Sequence, residues 1–275
     1  MTVIAMTREM GTLGKDVASG VAERLGIEVV HHELVERQLA ERLHLSESAV
    51  HRFLEGESSL WERWNIDANR LSRFSSEEIL ELATRGNVLI RGWGAAQLLR
   101  DVKHVICVRV CASMGDRIAE MKRRLGLDNN DVVRREIDRN DEAHARAVQR
   151  QFHVDWQDAT GYDLVINTSH VPIDAGVALL QQLAKSGAYE ITDESRSVLF
   201  DKLLAARVRS TLDERVTDLP IGNSLGIAVK HGHVIIDGVV SPNANFRSTL
   251  KEVEAIEGIR SVTDDTVSIP VSYGV

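Results

Sequence analysis

The chain has only two cysteines in 275 residues, Cys107 and Cys111, and no further Cys or His at the spacing a zinc site needs. At this length one large or two ordinary domains can each bury a core, so neither a disulfide framework nor a structural metal is needed. Both cysteines fall in the apolar run HVICVRVCAS, where a strand would put them on one face, and they read as small core residues. Long hydrophobic runs are also missing. The opening MTVIAMTREMG has a handful of apolar residues before Arg8 and Glu9, too short for a signal peptide or a membrane span, so the expected location is cytoplasmic with no transmembrane segment. Positive charge is in the minority, 33 Lys and Arg against 41 Asp and Glu, and the net charge of −8 opposes non-specific attraction to nucleic acid or anionic lipid. No nucleic-acid partner is expected, and any phosphate site must be local. There is no repeat and no low-complexity tract; 43% hydrophobic and 27% charged residues fit a chain that folds throughout.

Apolar runs alternate with helical patterns over the first two thirds: TVIAM, NVLIRG, HVICVRV and YDLVINT are each followed by a helix-like stretch, which implies a parallel sheet flanked by helices. Val17, Val21 and Leu25 recur every four positions ahead of Gly26, predicting a helix that starts just after a glycine turn. Ser75 with Glu78 reads as a capping box opening a second helix, which Gly86 ends. Residues 44–73 are the least readable; Trp61 and Trp64 fit packing on one face of an inserted helical lid. The arginine-rich and acid-rich segment 116–150 reads as a solvated helix pair. After YDLVINTS, the stretch PIDAGVALLQQLAKSG closes the first domain with Gly187 as cap. The polar segment AYEITDESRS reads as a linker, and a different pattern restarts at Val198. The expected division is 1–190, a linker at 191–196, and 197–275.

In TVIAMTREMGTLGKDVA, a strand, a glycine turn and a helix follow one another, as a phosphate-binding loop requires: successive backbone N–H groups and the helix N-terminus would surround the anion. Set against G-x-x-x-x-G-K-[ST], Gly14 and Lys15 match, Glu9 stands for the first glycine, and Asp16 stands for the hydroxyl residue that normally holds magnesium. An ordinary βα turn with glycines for tight geometry is the competing reading. His31, His32 and Glu36 lack the H-E-x-x-H spacing of a helical metal site.

The run TREMGTLGK followed by VASGVAERLGI resembles the N-terminus of the cytidylate kinase-like family, which commonly carries Ser-Arg-Glu before its glycine-rich turn. The resemblance continues through HHELVE, NVLIRGWGAAQLLRDVKHVICVRV, DRNDEAHARAVQRQFHVDW and YDLVINTS, and lies in the order and spacing of these blocks. It implies a P-loop kinase-like α/β fold, ATP with Mg2+ as cofactors, and a nucleotide site formed by Gly11, Thr12, Leu13, Gly14, Lys15 and Asp16. It also implies catalysis by Lys15 with lid residues Arg139 and Arg146, seven positions apart on one helix face. Pairing of these arginines with Glu136, Asp138, Asp141 and Glu142 is the plainer reading of the same segment. The acceptor pocket falls on His31, Glu33, Arg91, Gly92 and Trp93. Here the sequence departs from true cytidylate kinases, with Gly92-Trp93-Gly94 in place of Gly-Arg-Asp and His31 in place of an aspartate. Trp93 fits stacking on a base or packing, and Arg91 is a candidate replacement for the missing guanidinium.

From about Ser197 the chain resembles a BON domain: helix LFDKLLAARVRSTL, strand LGIAVKHG, return strand HVIIDGVV, helix ANFRSTLKEVEAIEG and a closing strand, the order αββαβ of a small α+β module. Gly232 marks the hairpin, Gly238 a bulge or close approach, and Gly258 the end of the second helix. His231 and His233 read as exposed turn residues. The resemblance implies contact with membranes or proteins, and protein contact or self-association is the expectation here. Two functions follow. The first is ATP-dependent phosphoryl transfer to a nucleoside monophosphate, CMP or dCMP by default. The second is a nucleotide-binding regulator that has lost turnover, which the missing Gly-Arg-Asp and Asp16 favour.

Overall fold

A computed structural model of the chain describes residues 1–30, 68–92, 94–126, 128–216, 225–240 and 245–268, with isolated positions between 31 and 67. The chain divides into two compact units, Met1–Ser195 and Arg196–Val275.

In the first unit, β1 (Val3–Arg8), β2 (Glu28–Val30), β3 (Val88–Arg91), β4 (Val105–Cys111) and β5 (Leu164–Asn167) form one sheet in the order β2-β3-β1-β4-β5. All four pairings are parallel, with Val3 beside both Val88 and Val105. β1 and β3 are near-continuous apolar runs because both faces of a central parallel strand are covered. On one face, Val17 and Val21 of α1 (Gly14–Leu25) and Val177 and Leu180 of α6 (Ile173–Ala184) close over Ile4, Met6, Val108 and Ile166. A Cβ on Gly20 would lie 2.9 Å from Val177, so these helices approach more closely than a side chain there would allow. Gly26, at φ +64°, ends α1 in the left-handed conformation that glycine takes without cost. β1 sits between neighbours reached by crossovers in opposite directions, and the crevice for a ligand lies beyond the carboxyl ends of such strands.

Between these elements lie α2 (Ala68–Arg85), α3 (Ala95–Leu99), α4 (Met114–Leu125) and α5 (Asn130–Phe152). Ser75 does not cap α2: the helix already runs from Ala68, and Ser75 is a buried residue within it. The S-x-x-E pattern therefore has no open helix end to serve. Gly187 does not cap α6 either. That helix ends at Ala184, Lys185 returns its N–H to the Gln181 carbonyl, and Gly187 opens a short 3-10 turn through Tyr189. Trp61 and Trp64 lie outside the described residues. Helix α7 (Asp193–Arg215) begins inside the segment read as linker, with Thr192 and Ser195 exchanging side-chain to backbone hydrogen bonds at 3.1 Å in a reciprocal cap. The buried His104 Nδ1 lies 2.8 Å from Ser195 Oγ and anchors that cap to the start of β4.

In the second unit, β6 (Gly226–Lys230) pairs antiparallel with β7 (His233–Val240), which pairs parallel with β8 (Ser261–Ser268); with α7 and α8 (Asn245–Glu254) the order is αββαβ. Val208, Leu212, Val234, Ile236, Phe246 and Val253 form its core. The hairpin turns at His231 and Gly232, both at positive φ, as a two-residue loop that follows the strand twist requires. The carboxylate of Asp201 accepts from their two N–H groups, at 2.7 and 3.0 Å. Gly238 marks no bulge: the β7–β8 register runs unbroken past it from His233↔Ser261 to Val240↔Ser268. The close approach is at Gly226, where the Asp237 carboxylate occupies the space of a Cβ.

Candidate phosphate-binding site

The loop from Glu9 to Leu13 leaves the carboxyl end of β1 and turns directly into α1. Glu9 extends the ladder by one bond, its N–H reaching the Val110 carbonyl at 3.1 Å. The Thr12 hydroxyl then folds back to donate to the Glu9 carbonyl at 2.9 Å. Gly11 sits at φ +78°, and a Cβ there would lie 2.7 Å from the Arg117 carbonyl oxygen, so both the backbone angle and the space demand glycine. Leu13 occupies the N-cap position without a capping side chain, so no side chain competes for the N–H groups of Gly14, Lys15 and Asp16. Lys15 and Asp16 are exposed at this end of the helix. The arrangement fits a phosphate: open amides and the positive end of the helix dipole stand at the start of a helix that carries an exposed lysine. Asp16 offers one oxygen ligand for a hard cation such as Mg2+. Among the described residues no group of three or more His, Cys, Asp or Glu could hold a metal ion.

Under the loop lies a buried charge network. Glu9, Arg109 and Arg117 are 7%, 8% and 4% exposed. The Glu9 carboxylate takes a short bond from Arg109 Nη2 and lies 3.3 Å from Arg117 Nη1. Arg117 donates through Nε to the Met10 carbonyl at 2.6 Å and forks onto both oxygens of Asp141, at 2.8 and 2.6 Å. Arg109 donates to the Gln157 carbonyl at 2.9 Å and stands 5.2 Å from the centre of the Trp156 ring. Trp156 is fully buried, His144 packs edge-on against it at 4.6 Å, and His144 Nε2 lies 3.4 Å from Thr7 Oγ1. Two guanidiniums and two carboxylates balance, so the glutamate at the first glycine position does not face an incoming phosphate as a bare negative charge. Burial pushes the Asp141 carboxyl above its ordinary value, against the pull of the Arg117 fork. Burial also raises the Cys111 thiol, with Glu9 adding to the effect.

The other expected residues are only partly brought to this place. Arg91 ends β3 as a buried residue beside Met6, and Gly92 donates to the Met6 carbonyl at 2.9 Å, so the Arg91–Gly92 turn is one strand from the loop. Gly94, at φ +67°, sits against the Phe152 ring, which a Cβ would enter. His31, His32, Glu33, Glu36 and Trp93 lie outside the described residues. Arg139 and Arg146 share one face of α5, but it is the outer one. Their side chains are 63% and 61% exposed and pair with Glu136 at 3.0 Å and Glu142 at 3.2 Å. The face of α5 that carries Ile137, Asp141, His144 and Val148 is the one turned inward. Arg109, Arg117 and Trp156 were missed as site residues; an arginine within an otherwise apolar strand, HVICVRVC, was the available signal for the first.

A five-stranded parallel sheet in this order, flanked by helices and carrying a glycine turn between β1 and α1, is a P-loop kinase-like α/β fold. The profile of the cytidylate kinase-like family matches residues 3–170, and the chain belongs to that family. Cytidylate kinases of Pyrobaculum aerophilum and Pyrobaculum islandicum are 25% and 26% identical to it over 179 residues, which span 65% of this chain and 90% of each relative. An uncharacterized protein from Eubacterium ventriosum shares the fold with a TM-score of 0.54 at 19% identity, over 66% of this chain and 97% of its own. No helix among the described residues is long and apolar enough to cross a membrane.

Proposed function

We propose that this protein is an ATP-dependent nucleoside monophosphate kinase, with CMP or dCMP as its acceptor. The observation that carries the reading is the loop between β1 and α1, where Gly11 takes the left-handed backbone of a tight turn and the uncapped helix amides stand beside the exposed Lys15. In it, the amides of Gly11 to Asp16 would hold the β- and γ-phosphates, Lys15 would neutralise charge that builds on the transferring group, and Asp16 is the residue that would offer an oxygen to magnesium. ATP with Mg2+ supplies the phosphoryl group and a bridging charge between its phosphates. The chain contributes position and electrostatics, and no covalent step. Arg91 and Gly92 would border the acceptor; His31, Glu33 and Trp93, the other acceptor residues that the family resemblance implies, lie outside the described residues. Arg139 and Arg146 join the site only if α5 turns by about half a revolution, since Asp141 and His144 now occupy its inner face.

That outward placement favours a second reading, a nucleotide-binding regulator without turnover. In either case the αββαβ unit acts as a BON-like module for contact with a protein partner or a second copy, and Ile235 and Val267 are exposed on its sheet. A coupled ADP-release assay with ATP, Mg2+ and each of CMP, dCMP, UMP and AMP separates the two. Turnover with CMP or dCMP that disappears in Lys15→Ala is the kinase result. ATP binding without turnover on any acceptor is the regulator's, and would remove the kinase reading.

A further inference from the structure

The loop backbone at Met10 and Gly11 is tied to two neighbouring helices. The Met10 carbonyl accepts from Arg117 Nε at 2.6 Å. The same guanidinium reaches Glu9 at 3.3 Å and forks onto Asp141. The Arg117 main chain closes on the next residue, its carbonyl oxygen sitting 2.7 Å from where a Cβ on Gly11 would be. Arg117 belongs to α4 and Asp141 to α5, so two helices distant in sequence fix the backbone of Met10 and Gly11. Arg117 and Asp141 are 5% and 15% exposed at the side chain, which keeps water from competing for these bonds. A lysine could carry the charge of Arg117, but it could not fork onto Asp141 and reach the Met10 carbonyl together.

We infer that Arg117 and Asp141 are positioning residues for the phosphate loop: Asp141 holds the guanidinium that clamps the Met10 carbonyl, so the loop amides are aimed before any phosphate arrives. The role rests on the phosphate-loop reading above. In this arrangement Glu9 is the anchor that holds Arg117 in place and is not a ligand group. Any motion of α5 that withdraws Asp141 also loosens Met10, so the loop and the helix bearing Arg139 and Arg146 respond to each other.

The test compares Asp141→Asn and Arg117→Lys with Val148→Ala, a buried truncation on the same helix away from the loop. Amide hydrogen exchange is read over residues 9–16 in nucleotide-free full-length protein, beside thermal melting and calorimetric titration of ATP with Mg2+. The expected result is exchange in the loop faster by about tenfold or more in both clamp variants, and ATP affinity lower by a similar factor. Val148→Ala should match their loss of melting temperature while its loop amides stay protected. If loop exchange is unchanged in Asp141→Asn, or rises equally in Val148→Ala at equal loss of stability, the clamp is ordinary packing and the inference falls. Because exchange is measured without nucleotide, a wild-type protein that fails to bind ATP removes the phosphate-loop reading, while the exchange arm still decides whether the clamp exists.

Discussion

Replacing Glu9 by glutamine keeps the shape of the side chain and removes one charge from the network under the loop. The one carboxylate left in the network is then Asp141, which bonds Arg117 and not Arg109. Arg109 keeps the Gln157 carbonyl and the Trp156 ring and has no counter-charge from Glu9. Breaking one partner of a buried ion pair costs about 3–5 kcal/mol, and the glutamine oxygen recovers about 1 kcal/mol as a neutral acceptor. The expected net loss is about 3 kcal/mol, or roughly 6–12 °C for a unit of this size. All four tryptophans, Trp61, Trp64, Trp93 and Trp156, precede Arg196, so tryptophan fluorescence follows the melting of the first unit without the second. Glu136→Gln is the control, because it removes an exposed pair with Arg139 and should change stability by less than about 0.5 kcal/mol. A loss in Glu9→Gln no larger than in that control would refute the reasoning, since the carboxylate would then not be what balances the two guanidiniums.

Other expectations follow from local geometry and burial. Gly94→Ala combines a left-handed backbone with a clash on the Phe152 ring and should cost about 2–5 kcal/mol. Gly92→Ala meets open space, so only backbone strain of about 1–2 kcal/mol should appear on melting; equal losses would contradict the described turn. The Cys107 thiol, 2% exposed and with Asp163 nearby, is pushed from 9.0 up to about 12, and burial likewise pushes Tyr162 from 10.0 up to about 12. Because the folded chain holds these protons to higher pH than the unfolded chain, the stability they contribute is intact below about pH 9 and is lost as pH rises toward about 12. The urea midpoint of the tryptophan signal should therefore fall between about pH 8 and about pH 10.5, and Cys107 should resist a thiol reagent that labels it once urea is added.

Much of the first unit was readable because its strands are unbroken apolar runs and its first helix announces itself by the Val17, Val21, Leu25 spacing and by Gly26. The loop was readable from Gly11, Gly14 and Lys15 as a local pattern. The errors share one physical origin. Ser75 with Glu78, and Gly187, are local signals that a longer helix or an earlier end overrode, since a cap matters only where backbone groups are left open. The site beneath the loop was hidden for a different reason. Glu9, Arg109, Arg117 and Asp141 are far apart in sequence, and only the packing of α4 and α5 against the carboxyl ends of β1 and β4 brings them together. The helical spacing of Arg139 and Arg146 correctly put both on one face, yet spacing alone does not say which face turns outward; that was settled by Ile137, Asp141, His144 and Val148.

The most direct test of the phosphate-loop account is calorimetric titration of ATP with Mg2+ into the full chain, run side by side on wild type and Lys15→Ala. The account predicts saturable binding to wild type, weakened about tenfold or more by the substitution while the melting temperature stays within about 2 °C, because Lys15 is exposed and holds no packing role. No binding to wild type, or equal binding to both proteins, would contradict it.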